Sequence, residues 1–227
     1  VCSIYHDDGP VMICPVRFRE DWRIVSDAAD FFFPPDTTWT SLTNVRLNDG
    51  YARQVATIDV VLVAYDEKGR VFDFGALEVE AVNTAGNVRA LFDSYIQNPG
   101  AHSVMDWSAA SGYPQPDYLA SMRLNLAPRL SGTGSILSAW QKRTAVAIDK
   151  RYFASLPAMP TVEEAEADIA WLIYDLQVHG EGDAPRYSLT KVDEVYTRFA
   201  TLHSTATALP GDMSSFMRAL EAALYDN

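Results

Sequence analysis

Apolar positions in this 227-residue chain change period several times, and each change predicts an element. Over residues 20–32 they recur at helical spacing (Trp22, Ile24, Val25, Ala28, Ala29, Phe32), so a helix is predicted that stops before Pro34-Pro35. A polar stretch, 36–54, with room for a short helix, leads into two apolar runs, 56–65 and 71–82, which read as strands. Between them Asp66-Glu67-Lys68-Gly69-Arg70 is a turn signal whose glycine can take positive φ, so the runs form a hairpin. Asn87 opens a helix over 88–96 that ends at Asn98-Pro99-Gly100, and a loop rich in Ser, Gly and Pro runs to Pro116. Helices are predicted over 117–130 and 135–140, with Pro128 bending or ending the first. The runs 144–148 and 169–176 read as buried strands, and 192–203 and 213–225 as closing helices. No internal repeat is visible. The pattern predicts an α/β fold, a mixed β-sheet flanked by helices, in which residues 1–18 form an irregular or hairpin-like arm and 19–227 the main domain.

The two hairpin strands carry acids among their apolar residues: Ile58-Asp59-Val60-Val61-Leu62-Val63, then Leu77-Glu78-Val79-Glu80-Ala81. If Lys68-Gly69 is a two-residue loop, Glu67 pairs with Arg70 and the same register sets Asp59 across from Glu78. Glu78 and Glu80, two apart on one strand, share its face. Like charges facing each other across strands are destabilising, and a divalent cation relieves them because hard cations prefer carboxylate oxygens. Asp59, Glu78 and Glu80 are therefore candidate catalytic residues of a metal-dependent phosphodiesterase. A chain with 30 Asp and Glu also places acids near one another by chance; what lifts this group is its apolar flanks and the turn that draws it together.

Composition changes the picture in four respects. No run approaches the roughly 20 apolar residues of a membrane span, so no membrane association is expected. The chain starts at Val1 without a basic-then-apolar leader, which reads as the absence of a signal peptide and as a missing start. The net charge of −12 argues against nucleic acid, but it is segregated: Arg123, Arg129, Lys142, Arg143, Lys150 and Arg151 lie in 119–151 against Asp149 alone, and 161–185 holds seven acids and no Lys or Arg. An acidic protein of this kind can still turn one basic face to phosphates. Two cysteines, Cys2 and Cys14, suit a reducing cytoplasm rather than a disulfide scaffold. With His6 they supply three metal ligands, one short of a closed tetrahedral site.

The hairpin followed by a helix, with an aspartate and a Glu-x-Glu on its strands, resembles the PD-(D/E)xK nuclease core. More narrowly, the chain resembles the NotI group of type II restriction endonucleases. The resemblance rests on Cys14-Pro15-Val16-Arg17-Phe18 with Asp27-Ala28-Ala29-Asp30-Phe31-Phe32-Phe33, on both hairpin strands, and on Gly86-Asn87-Val88-Arg89. It continues through Leu126-Ala127-Pro128-Arg129-Leu130 and Trp140-Gln141-Lys142-Arg143-Thr144-Ala145-Val146, and it spans about 14–157. It implies a Mg²⁺-dependent enzyme cutting double-stranded DNA at a specific sequence as a homodimer, in a prokaryotic cytoplasm. Carried over by residue, it implies Mg²⁺ held by Asp59, Glu78 and the Val79 carbonyl. Glu80 stands where most of the superfamily has lysine, and it would accept a proton from the attacking water or help hold a second metal. The group also binds a cysteine-held iron near its N-terminus, so Cys2 and Cys14 are expected remnants of a structural iron or zinc site, incomplete here. An acid from the helix before the hairpin assists such sites, and Asn44, near that place, cannot take the role.

Arg46, Arg89, Lys142 and Arg143 are the candidate phosphate contacts, each set against the plainer role of a solvated cation. Trp140 and the Phe31-Phe32-Phe33 run read as core. His102, His179 and His203 pair with no nucleophile, which speaks against HNH or Ser-His chemistry. Two further readings stand beside the restriction enzyme: a catalytically inactive DNA-binding or scaffold module that keeps the fold, and a nuclease of repair or phage defence.

Overall fold

The computed structural model describes residues 2–51, 53–102, 105–179, 186–199 and 212–225. Strands β1 (Ser3–His6) and β2 (Gly9–Met12) form an N-terminal hairpin, and a 3₁₀ segment, Pro15–Trp22, leads into helix α1 (Arg23–Phe32). Strands β3 (Trp39–Asn48), β4 (Gln54–Tyr65) and β5 (Val71–Glu80) follow as an antiparallel meander. A small ladder of β6 (Thr84–Ala85) and β7 (Gln115–Pro116) brackets helix α2 (Val88–Gln97). The remaining strands are β8 (Thr144–Asp149), β9 (Ile169–His179) and β10 (Arg186–Thr197), and helix Met213–Tyr225 closes the described chain.

One six-stranded mixed sheet, in the order β10-β9-β8-β5-β4-β3, organises all of this. Its central strands β5, β8 and β9 are parallel and its outer pairs antiparallel. Parallel strands are buried on both faces, and β8 accordingly has no exposed position from Thr144 to Asp149. Val60, Leu62, Leu77, Ala145, Ala147 and Leu172 pack against α1 on one face. Val61, Val63, Ala76, Val146, Ile148, Trp171 and Ile173 look the other way. From α1 the Phe32 ring lies directly over Gly75 of β5. A Cβ on Gly75 would lie 2.5 Å from that ring, so glycine there is what allows helix and strand to meet.

The hairpin departs from the expected turn in an informative way. Asp66 N–H donates to the Arg70 carbonyl at 3.0 Å and Gly69 N–H to the Asp66 carbonyl at 2.9 Å, so the loop is Glu67-Lys68-Gly69, three residues rather than two. Gly69 takes φ +73°, the left-handed conformation that such a loop requires. Glu67 therefore does not pair with Arg70. Tyr65 pairs with Val71, but Ala64 pairs with Asp73, leaving Phe72 as a bulge. The longer loop and the bulge offset each other, and Val60 still faces Leu77.

Three other expectations need correction. The polar stretch before the hairpin holds the strand β3 instead of a short helix, at the sheet edge where four of its ten positions are exposed. Most of the expected helix 192–203 is strand β10, and its last residues, with His203, lie outside the described residues. A bulge at Val192, between the Lys191–Tyr174 and Asp193–Ile173 pairs, breaks the period-two alternation and leaves apolar residues at helix-like intervals. Third, Pro128 does not end its helix. The chain runs on through Tyr118–Ser121, Ala127–Arg129 and Ser135–Ala139, joined by π-helical stretches Met122–Leu126 and Leu130–Gly134. The wider turns absorb the hydrogen bond that proline cannot donate. This central helix covers the sheet face that carries the acids.

Candidate active site

Asp59 lies one step past the Val60–Leu77 pair, so its register position faces Glu78. Its Oδ2 accepts a hydrogen bond from the Val79 N–H at 3.0 Å, which continues the β4–β5 ladder through a side chain where the main-chain pairing stops. Glu78 and Glu80 project from β5 toward the central helix, with side chains only 2% exposed, against 30% for Asp59. Burying two carboxyl groups among Val, Ile and Leu is costly, and it changes their chemistry. Burial, then the neighbouring Asp59 charge, raises the Glu78 pKa against the opposing pull of Arg129. Burial likewise pushes Glu80 up to about 8, with Arg129 again opposing and Glu78 and Asp59 adding to the rise.

Arg129 is the site residue that the sequence did not single out. It sits on the short α-helical stretch between the two π-helical ones, and its guanidinium reaches all three acids. Nη1 lies 2.5 Å from Asp59 Oδ2 and 3.3 Å from Glu78 Oε2, and Nε lies 3.7 Å from Glu80 Oε1. The available signal was a lone cation, after Pro128, on a helix whose neighbouring positions Leu126, Ala127 and Leu130 are apolar. Its three acids lie 49 to 70 residues upstream, beyond any local pattern.

One cation does not satisfy the group. Among the described residues, the buried side-chain oxygens without a hydrogen-bond partner are Glu78 Oε1, Glu80 Oε1, Thr133 Oγ1 and Tyr152 Oη. Thr133 stands beside the Glu78 carboxylate. Buried polar atoms are normally paired, so the two unpartnered glutamate oxygens, side by side on β5, make this group a candidate ligand site. The donors are hard oxygens, the set that Mg²⁺ or Mn²⁺ takes. The acids fit such an ion in kind. In position they do not yet form a metal-holding group among the described residues, because the guanidinium lies between them.

The expected phosphate contacts are placed elsewhere, and among the described residues none is paired with the three acids. Arg46 is exposed on β3 opposite Thr57, two residues along from Asn44, whose register position faces Asp59. Asn44 is thus on a strand rather than a helix, and it has φ +56°. Arg89 is exposed in the first turn of α2, 3.6 Å from Asp93. Lys142 is bound to Asp73 at 2.6 Å and lies over the Phe74 ring. Arg143 donates to the Phe31 carbonyl at 2.6 Å and stacks on that ring. Trp140 packs against Phe74 and Phe216 and belongs to the core, as do Phe31, Phe32 and Phe33.

Cys2 and Cys14 are free thiols at the open end of the β1–β2 hairpin, where Ile13 N–H donates to the Cys2 carbonyl. His6 pairs with Gly9 at the opposite end, so it does not join them. Two thiols fall short of the four ligands of a structural site, and no iron or zinc chemistry is derived from them. Among the described residues, no helix is long and apolar enough to cross a membrane.

No curated protein matches the chain. A family model does: the one described as restriction endonuclease NotI matches residues 1–189, from the N-terminal hairpin through the acid-bearing strands and central helix into β10. With that match over most of its length, the chain belongs to the NotI family of restriction endonucleases, enzymes that act on DNA.

Proposed function

We propose that this protein is a Mg²⁺-dependent type II restriction endonuclease that hydrolyses phosphodiester bonds of double-stranded DNA at a specific sequence as a homodimer. The observation that carries the reading is the buried carboxylate group with its unpartnered oxygens, within a chain of the NotI family. Asp59 and Glu78 would hold the ion, with the Val79 carbonyl. When bound, Mg²⁺ polarises a phosphate and makes water more acidic. Glu80 is the candidate base: a carboxylate with a raised pKa is a stronger proton acceptor once ionised. Two-fold symmetric DNA sites favour a two-fold symmetric protein, which supports the homodimer.

The test is cleavage of a DNA of known sequence by the parent, Asp59→Ala and Glu78→Ala. The expected result is a loss on the order of a thousandfold in each folded variant. Parent-like cutting by both would remove these residues from the site.

One observation favours the second reading, an inactive DNA-binding or scaffold module: Arg129 already neutralises part of the acidic group. Calorimetric titration of the parent with Mn²⁺ separates the two. Saturable binding lost in Asp59→Ala supports the nuclease, and no binding at the acids supports the module.

A further inference from the structure

We propose that Arg129 is a built-in counter-ion which the divalent cation displaces, and that the released guanidinium then binds a DNA phosphate beside the ion. The inference rests on the metal-dependent reading above. Three acids converge on one guanidinium, which lies 2.5 Å from Asp59, 3.3 Å from Glu78 and 3.7 Å from Glu80. Its contacts are unequal. Only Asp59 and Glu78 receive a hydrogen bond, while Glu80 keeps an unpartnered buried oxygen. A single positive charge thus holds the group together without completing it. Glu78 likewise keeps a buried oxygen, Oε1, that the guanidinium leaves without a partner.

A divalent ion attracts the same oxygens with twice the charge, and it accepts several of them at once. The guanidinium cannot share that position, so ion entry obliges it to leave. Its route is short. The Arg129 side chain is 38% exposed, so it already reaches from the buried acids to the surface. Its helix carries π-helical stretches on either side, where the backbone ladder is already widened. A guanidinium released at the rim of a cation-loaded acidic site meets the one partner such a site brings in, a phosphate, which its planar fork binds well.

The experiment uses the whole protein without DNA, and Mn²⁺ as the probe. Calorimetry compares the parent with Arg129→Ala, and with Arg129→Gln in case alanine leaves the acids too repulsive to fold. The variants are expected to bind Mn²⁺ about ten- to a hundredfold more tightly, since no ion pair must first be broken. In Ca²⁺, their affinity for DNA is expected to fall about tenfold. The parent offers a reading that needs no variant to fold. The Arg129 Nε–H resonance is assigned by its absence in Arg129→Lys, and it should shift as Mn²⁺-matched Mg²⁺ saturates the site. Unchanged or weaker Mn²⁺ binding in the variants, an unmoved resonance, or parent-like DNA affinity overturns the proposal. A parent that binds no Mn²⁺ at all overturns the metal-dependent reading instead, so the two failures are distinct.

Discussion

At the scale of single residues, the acids set a pH dependence whose sign follows from burial. Glu80 has an ordinary pKa of 4.5 in the unfolded chain and about 8 in the folded one. Between those values the native state holds a proton that the unfolded state has lost, so stability falls as pH rises across that window. Glu78 and Asp149, both raised by burial, act in the same direction. The carboxylates held below the ordinary range, Asp8, Asp49, Asp66, Asp106 and Asp212, lose their contribution only as pH falls below about 4, and so do not oppose the trend. The metal-free protein is therefore expected to unfold at lower urea at pH 8 than at pH 5.5. Glu80→Gln should recover on the order of 1–2 kcal/mol at pH 8 and little at pH 5.5, because a neutral amide needs no proton to be buried. Urea titrations of both proteins at the two pH values check this, and a parent equally stable at both would refute it. Asp59, Glu78 and Glu80 were legible in the sequence as acids on apolar strands, and their expected register survived a misread turn because the longer loop and the Phe72 bulge cancel. Arg129 was not, because only the packing of the central helix on the sheet brings it there.

At the scale of elements, legibility tracked burial. Strands β4, β5, β8 and β9 announce themselves as apolar runs because both their faces are covered. The edge strands β3 and β10 do not, since one side is wet and each has a register shift that breaks the alternation. The N-terminal hairpin would also be hard to place from sequence, although Val11 and Met12 are fully buried. One buried acid contributes to its docking, beside the Val82 N–H that donates to the Met12 carbonyl and Arg151, which donates to the Pro10 carbonyl. Asp149 ends β8, and its carboxylate accepts from the Met12 N–H at 3.1 Å while capping the helix Lys150–Ser155 through Arg151 and Tyr152 N–H. Asp149→Ala leaves three buried donors without an acceptor, and a loss of about 2–3 kcal/mol is expected. The local signature is faster amide exchange at Met12. Unchanged protection there would mean that Asp149 does not hold the hairpin.

At the scale of the whole molecule, charge is spent largely within the fold. Of the six cations in 119–151, Arg129, Lys142, Lys150 and Arg151 are ion-paired to acids of the chain. A basic stretch of sequence is thus not a basic face, and the exposed Arg46 and Arg89 are the better phosphate candidates. Arg46→Ala is expected to weaken DNA binding in Ca²⁺ for every sequence alike, and to lower the salt slope by about one. Lys142→Ala should instead cost stability, since its side chain is 17% exposed and bound to Asp73. Fluorescence anisotropy across a salt series, beside urea denaturation, separates these outcomes; the reverse pattern would exchange the two roles. The bulge at Phe72 bears on how this family can vary. Asp59 is set against Glu78 by the pairing of Val60–Val63 with Phe74–Leu77, a register that the three-residue loop and the bulge reach only together. A change of one residue at 67–69 without a matching change at Phe72 is therefore expected to slip the register and turn Asp59 away from Glu78. Turn and bulge form a pair that varies together or not at all.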